Sequence, residues 1–155
     1  MKLSLKKGFS FGLTSGVITT LGLITGFSSS EHSKMIIISG IIIIAISDAL
    51  SDSLGMHVSE ESDHKNGSKD IWEATFATFC SKFIFSLSFL IPILLFELPI
   101  AVIISVVWGL FLIALFSYYL ARSQGENPVY VILEHVLIAL IVIMITHFVG
   151  FWFRS

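Results

Sequence analysis

Charge is scarce in this sequence, and cysteine is almost absent. Only 13% of the 155 residues are charged, whereas 55% are hydrophobic. A chain of this length with so little charge is too apolar for a soluble domain and too long for a single membrane span. We therefore predict a small integral membrane protein that crosses the bilayer several times.

The shortage of cysteine and of clustered basic residues excludes further classes of function. A lone Cys80 can form no internal disulfide and is too few for a thiolate metal site, so we expect a small, buried apolar side chain. Lysine and arginine are scattered at the ends of apolar segments, which excludes nucleic acid as a partner. The sequence also lacks a nucleophile elbow, a phosphate-binding loop and an HExxH motif. We therefore expect no enzymatic activity and no permanently bound cofactor.

Five apolar stretches are long enough to cross a bilayer, which takes about 20 helical residues. They predict an all-α fold, a five-helix transmembrane bundle in a single domain that covers residues 1–155. A polar loop at 59–73 is expected on the cytoplasmic side. The five helices are predicted near residues 8–28, 35–58, 74–96, 99–121 and 129–153.

The distribution of basic residues predicts the orientation of the bundle. Lysine and arginine concentrate on the cytoplasmic side of membrane proteins. Most basic residues here share one side, so the amino terminus is expected in the cytoplasm and the carboxyl terminus outside. Because the sequence has no extended targeting tail, we expect the plasma membrane of a prokaryote. The residues on the cytoplasmic side are Lys2, Lys6, Lys7, Lys65, Lys69 and Arg122, whereas Lys34 and Arg154 lie on the other side.

Acidic residues continue directly from the apolar run of the second helix. At helical pitch, Asp48, Asp52 and Met56 fall on one side, within an arc of about 100°. An ionisable group at membrane depth costs about 3 kcal/mol, so two aspartates there predict a functional site. We predict a metal site at Asp48, Asp52 and Met56, with Glu60 and Glu61 collecting the ion at the cytoplasmic mouth. A packing role for Met56 and a solvated charged turn for the glutamates remain alternatives.

The ligand types bear on which ion would bind. Oxygen ligands alone suit Mg²⁺, Ca²⁺ or Mn²⁺, whereas a thioether favours a softer ion such as Fe²⁺. Lys82 in the third helix offers a different explanation, because it could neutralise one aspartate. Two acids facing one base still leave a carboxylate that a proton or a cation must balance. Metal binding would then release a proton, and Asp48, Glu134 and His147 are the candidate proton relays.

Small residues line one face of the first helix. Such stripes let backbones approach closely in lipid. We expect this face to pack against another helix of the chain or across a two-fold axis. Hydroxyls of Ser15 and Thr19 share this face and, with Lys82, are candidates to line a pathway. The packing residues are Gly8, Gly12, Gly16, Gly22 and Gly26.

Nearly the whole chain resembles the vacuolar iron transporter family. The segment GLTSGVITTLGLITGFSSS looks like the Gly-rich opening helix of that family, and SGIIIIAISDALSDSLGMHVSEES resembles its second helix. The third, ATFATFCSKFIFSLSFLIPILLF, matches in its small-residue start and its Ile91-Pro92 ending. The closing segment is similar at Arg122, Gly125, Pro128 and other positions. The order and spacing of these motifs across five spans carry the resemblance.

The resemblance implies a homodimeric five-helix transporter that carries Fe²⁺, sometimes Mn²⁺, out of the cytosol in exchange for protons. It also implies a pathway at the dimer interface lined by the first two helices. Three departures stand out. The transport aspartate of the family falls at Ser15, its methionine falls at Asp52, and its glutamate falls at Met56. The cytosolic metal-binding domain of many members is absent, so this chain resembles a minimal member.

Two functions therefore remain open from the sequence. The first is a metal transporter whose partners are a divalent cation, protons, lipid and a second copy of the chain. The second is a family member that no longer transports and acts as a membrane metal sensor or assembly protein, because a hydroxyl at Ser15 cannot replace a carboxylate. Pairing of Lys82 with Asp48, with Asp52 packed against lipid, favours the second function. A polar cavity between two protomers that is lined by both aspartates favours the first.

Overall fold

The computed structural model describes residues 2–63 and 67–154, which form a bundle of helices. Five helical segments are long and apolar enough to cross a membrane, with the third and fourth helices counted as one segment. The prediction of an all-α fold with five helical segments able to span a membrane is therefore confirmed for this part of the chain. The helices are α1 (Leu3–Ser29), α2 (Lys34–Glu61), α3 (Ser68–Ser88), α4 (Leu90–Leu95), α5 (Leu98–Gln124) and α6 (Pro128–Trp152).

Two boundaries differ from the prediction. Helix α2 extends to Glu61 and α3 begins at Ser68, so the connection is shorter than the expected loop at 59–73; Lys65 lies outside the described residues. The third span is divided at Phe89 into α3 and α4. Proline at Pro92 explains this break, because its ring lacks an N–H and clashes with the carbonyl four residues earlier.

The end of α5 and the start of α6 are explained by the residues at those positions. Gly125 ends α5 in the left-handed conformation, with φ of 75°, which glycine adopts without steric cost. The Asn127 side chain accepts a hydrogen bond from the Val129 N–H at 3.0 Å and caps α6, and Pro128 occupies the first turn. The turn between α5 and α6 is thus encoded by a glycine, an asparagine and a proline within four consecutive residues.

Helix α1 lies at the centre of the bundle and packs against α2, α3, α5 and α6. Its glycines allow the close approach to α3. A Cβ at Gly8 would lie 2.2 Å from the Ala74 carbonyl oxygen, and one at Gly12 would lie 2.1 Å from Ser81 Oγ. Further along, Gly22 and Gly26 lie beside Thr146 of α6. The stripe predicted from sequence is therefore occupied by neighbours within the chain.

Polar contacts join the helices at the end where α1 begins and α2 ends, which we call the Lys7 end. Lys2 Nζ lies 2.7 Å from Glu73 Oε1 of α3, and this hydrogen bond raises the pKa of the Lys2 ammonium. Lys6 Nζ donates to Ser123 Oγ of α5 at 2.6 Å. These contacts hold the start of α1, the start of α3 and the end of α5 together.

The opposite end of the bundle, which we call the Arg154 end, is joined in the same way. Arg154 pairs with Glu31, and Ser30 Oγ donates to the Gly150 carbonyl at 3.0 Å. Consecutive membrane-length helices therefore run antiparallel.

Large apolar side chains cover the outside of α2, α5 and α6, as a lipid-facing surface requires. The expectation that Cys80 is buried is wrong, since its side chain is exposed. Thr78, Ser81 and Lys82 of α3 are buried, and Cys80 points away from that face, next to Trp72.

Candidate functional site

Four polar side chains from three helices meet midway along the bundle, and we call them the central cluster: Ser15, Asp48, Asp52 and Lys82. Lys82 Nζ lies 2.6 Å from Asp48 Oδ2, pairs with Asp52 Oδ2, and donates to Ser15 Oγ at 2.8 Å. The Ser15 hydroxyl in turn donates to Asp52 Oδ2 at 2.7 Å. One ammonium thus joins two carboxylates that stand one helical turn apart on α2.

Lys82 is held in place by the close packing of α1 on α3. Its side chain is only 1% exposed, although a buried ammonium is costly unless it is paired. A Cβ at Gly16 would lie 3.0 Å from the Lys82 carbonyl oxygen. The glycine face of α1 therefore lets the α3 backbone approach, so that the lysine side chain can reach α2.

The cluster is asymmetric in charge and in exposure. Two carboxylates face one ammonium, which leaves a formal charge of −1 if all three groups are ionised. The side chains of Asp48 and Asp52 are 28% and 21% exposed, in contrast to the buried Lys82. The contact between Asp48 Oδ2 and the ammonium also lacks hydrogen-bond geometry among the described residues. Asp48 is therefore the less firmly held of the two acids.

The cluster lies halfway along the membrane-length helices. Ser15, Asp48 and Lys82 each stand at or next to the midpoint of the segments Leu3–Ser29, Lys34–Glu61 and Ser68–Leu95. A helix rises about 1.5 Å per residue, so each of these side chains is about 20 Å from either end of its segment. The ionisable groups are therefore far from both polar ends of the bundle.

A second ion pair lies closer to the Lys7 end. Glu60 is buried, and its two carboxylate oxygens lie 3.0 and 3.3 Å from Lys7 Nζ. Both residues line a wide, open cavity of about 400 Å³ on the surface of the bundle, between α1, α2, α5 and α6. Met56 and His135 line the same cavity, and Met56 stands one helical turn from Asp52. We call it the inner cavity.

Other predicted site residues lie apart from these two groups. Thr19 donates its hydroxyl to the Ser15 carbonyl at 2.8 Å, and Glu61 is exposed at the end of α2. Glu134 is exposed at the start of α6. His147 is exposed near the Arg154 end, where its Nδ1 lies 2.8 Å from Ser29 Oγ. The proposed relay of Asp48, Glu134 and His147 is therefore spread over the length of the bundle.

His135 is the residue that the sequence did not single out. It precedes Ala139 by one turn, and Ala139 and Gly150 are the buried residues of α6. This spacing places His135 on the inward face of the helix, whereas Glu134 points about 100° away from it. The small residues on α6 were the available indication of which face turns inward.

No group of three or more histidine, cysteine, aspartate or glutamate side chains is arranged to hold a metal ion within residues 2–63 and 67–154. Asp48 and Asp52 are instead grouped with Lys82, and Glu60 with Lys7. In both places an ammonium lies beside the acidic oxygen atoms.

Comparison with known proteins adds no assignment: no protein-family model matches the chain, and no curated protein has a similar sequence.

Proposed function

We propose that this protein is a divalent metal transporter in which the central cluster binds the ion midway across the membrane. The observation that carries the proposal is a buried Lys82 between Asp48 and Asp52 at the centre of membrane-length helices. Each ionisable group at that depth costs about 3 kcal/mol, so such groups are retained mainly where they serve a pathway or a relay.

The cluster has the chemistry of a cation site that a lysine fills. Ser15, Asp48 and Asp52 supply oxygen atoms, which suit hard and borderline divalent ions. The ammonium of Lys82 lies where a cation would contact both carboxylates. A divalent ion that takes this position repels the ammonium, so that a proton leaves the cluster from Lys82 or from Asp48. Metal entry and proton release are thereby coupled.

The identity of the ion and the direction of transport come from the resemblance to vacuolar iron transporters. It supports Fe²⁺, and possible transport of Mn²⁺, out of the cytosol in exchange for protons. Ser15, which stands where the family has its transport aspartate, hydrogen-bonds to Asp52. This contact supports a relocated acid, with Asp52 supplying the charge that Ser15 lacks. The proposed setting is a prokaryotic plasma membrane, with the Lys7 end in the cytoplasm.

A second copy of the chain is part of the proposal. Asp48 and Asp52 remain partly exposed on the side of α2 in a single chain, at a depth where lipid would otherwise meet them. Because lipid cannot solvate a carboxylate, a partner protomer is the natural cover. The mass of the protein in lipid nanodiscs, measured by light scattering, should correspond to a dimer; a monomer would contradict this part of the proposal.

Transport is tested by uptake of Fe²⁺ and Mn²⁺ into proteoliposomes under an imposed pH gradient. The variant Asp52→Asn should lose flux, because a neutral amide cannot balance the charge of the ion. Glu126→Gln, an exposed change in the turn before α6, is the matched control and should keep the flux of the wild type. Full flux in Asp52→Asn would refute the role of that residue. Flux that is indifferent to the pH gradient would refute proton exchange.

The second candidate is a non-transporting membrane sensor or assembly protein. It is favoured by the contact of Lys82 with both aspartates, because a buried ionic cluster can also be purely structural. In that case the wild type shows no flux above protein-free vesicles, while removal of Lys82 still destabilises the bundle.

A further inference from the structure

The inner cavity brings together three different metal-binding side chains. Met56 contributes a thioether, Glu60 a carboxylate and His135 an imidazole, and all three line the same space of about 400 Å³. Met56 and Glu60 come from α2, and His135 comes from α6, more than 70 residues later in the chain. The central cluster, by contrast, contains only oxygen atoms and an ammonium.

The hydrogen bonds around His135 determine which ring nitrogen is available. Ser117 Oγ lies 2.7 Å from the Ile113 carbonyl oxygen, to which it donates its only proton. The same Oγ lies 2.8 Å from His135 Nδ1, so in this arrangement Nδ1 must be the donor. In the neutral ring, Nε2 then carries the lone pair. Histidines that bind metals are commonly oriented by this type of hydrogen bond from the other nitrogen.

The ion pair between Lys7 and Glu60 does not permanently prevent a metal ion from binding to the Glu60 carboxylate. Lys7 is 42% exposed at its side chain and can turn its ammonium into water, whereas Glu60 is buried. A cation in the cavity would compete with Lys7 for the carboxylate of Glu60. The competition predicts that removal of the Lys7 charge strengthens cation binding.

We propose that the inner cavity binds a divalent transition metal through His135 Nε2, together with Met56 and Glu60. Imidazole and thioether donors favour borderline ions such as Fe²⁺, Co²⁺ or Zn²⁺ over Mg²⁺ and Ca²⁺. The inference rests on the proposed function for its place in transport: the cavity is the stage between the Lys7 end and the central cluster. The cavity adds selectivity to transport, because it selects the softer ion before the ion reaches the oxygen ligands of Asp48 and Asp52.

The test is titration of the full-length protein in nanodiscs with Co²⁺, followed by its visible absorption bands and by calorimetry, with Mg²⁺ titrated separately. His135→Gln should weaken Co²⁺ binding by about tenfold or more. The control is His32→Gln, since His32 is exposed and lies near the Arg154 end, away from both proposed sites. The control should keep the affinity of the wild type. Equal Co²⁺ affinity in wild type and His135→Gln would overturn the proposal, as would Mg²⁺ binding as tight as Co²⁺ binding.

A second variant distinguishes loss of the metal site from misfolding of the protein. Lys7→Gln removes the ammonium that contacts the carboxylate of Glu60 and should tighten Co²⁺ binding several-fold, a gain that misfolding does not produce. Unchanged or weaker binding in Lys7→Gln would also overturn the proposal.

Failure of this inference can be told apart from failure of the proposed function. Co²⁺ binding that depends on His135, in a protein whose vesicles show no flux, would leave the cavity site standing and refute transport. Flux in the wild type, with Co²⁺ binding unaffected by His135→Gln, would refute only the cavity site.

Discussion

Replacement of Lys82 by methionine is the most informative perturbation of stability. Methionine has nearly the length of the lysine stem but carries no charge, so the change removes the ammonium from Asp48, Asp52 and Ser15 with little change in packing. Loss of one partner from a buried ion pair costs about 3–5 kcal/mol, because the remaining charge is left uncompensated. The two carboxylates are partly exposed, so we expect the lower end, about 3 kcal/mol.

The measurement is the free energy of unfolding in mixed detergent micelles, followed by helical circular dichroism. Lys69→Met, an exposed site at the start of α3, is the control and should change this free energy by less than about 0.5 kcal/mol. Adding Asp48→Asn and Asp52→Asn to Lys82→Met should recover most of the loss, since the uncompensated charges disappear. If Lys82→Met is as stable as the wild type, or if the added amides recover nothing, the reasoning about the ionic cluster is refuted.

Further predictions concern packing and the serine of the cluster. Gly12→Val should destabilise the bundle by about 1–3 kcal/mol, because the added Cβ would collide with Ser81 Oγ and the backbone of α3. Gly55→Ala is its control: nothing lies within 4 Å of the new carbon, so the same unfolding assay should show unchanged or slightly higher stability. Ser15→Ala should cost about 1–3 kcal/mol, since it removes the hydroxyl that bonds to both Asp52 and Lys82; an unchanged free energy would contradict that role.

The number of membrane-length segments could be predicted from sequence because length and apolarity alone decide which segments can span a bilayer, whereas the division of the third segment into α3 and α4 was missed. The common face of Asp48 and Asp52 also followed, since helical pitch fixes the angle between residues of one helix. Lys82 could be recognised as a possible partner because an ionisable group inside an apolar helix needs one. These inferences use only the chemistry of a residue and its position within its own helix.

Contacts between helices were harder to predict. A helix such as α6 is apolar all round, so only its small residues indicate which side faces α1, and Glu134 was chosen where His135 lines the cavity. One lysine contacting both aspartates could not be predicted either, because it depends on how closely the glycines let α1 and α3 approach. Sequence periodicity gives the face of a helix but not its neighbour.

The central claim is tested most directly by recording Fe²⁺ uptake and luminal pH in the same proteoliposomes. The account predicts that Fe²⁺ enters as protons leave, and that Asp52→Asn abolishes both movements together while Glu126→Gln changes neither. Wild-type vesicles that take up no more Fe²⁺ than protein-free vesicles would contradict it.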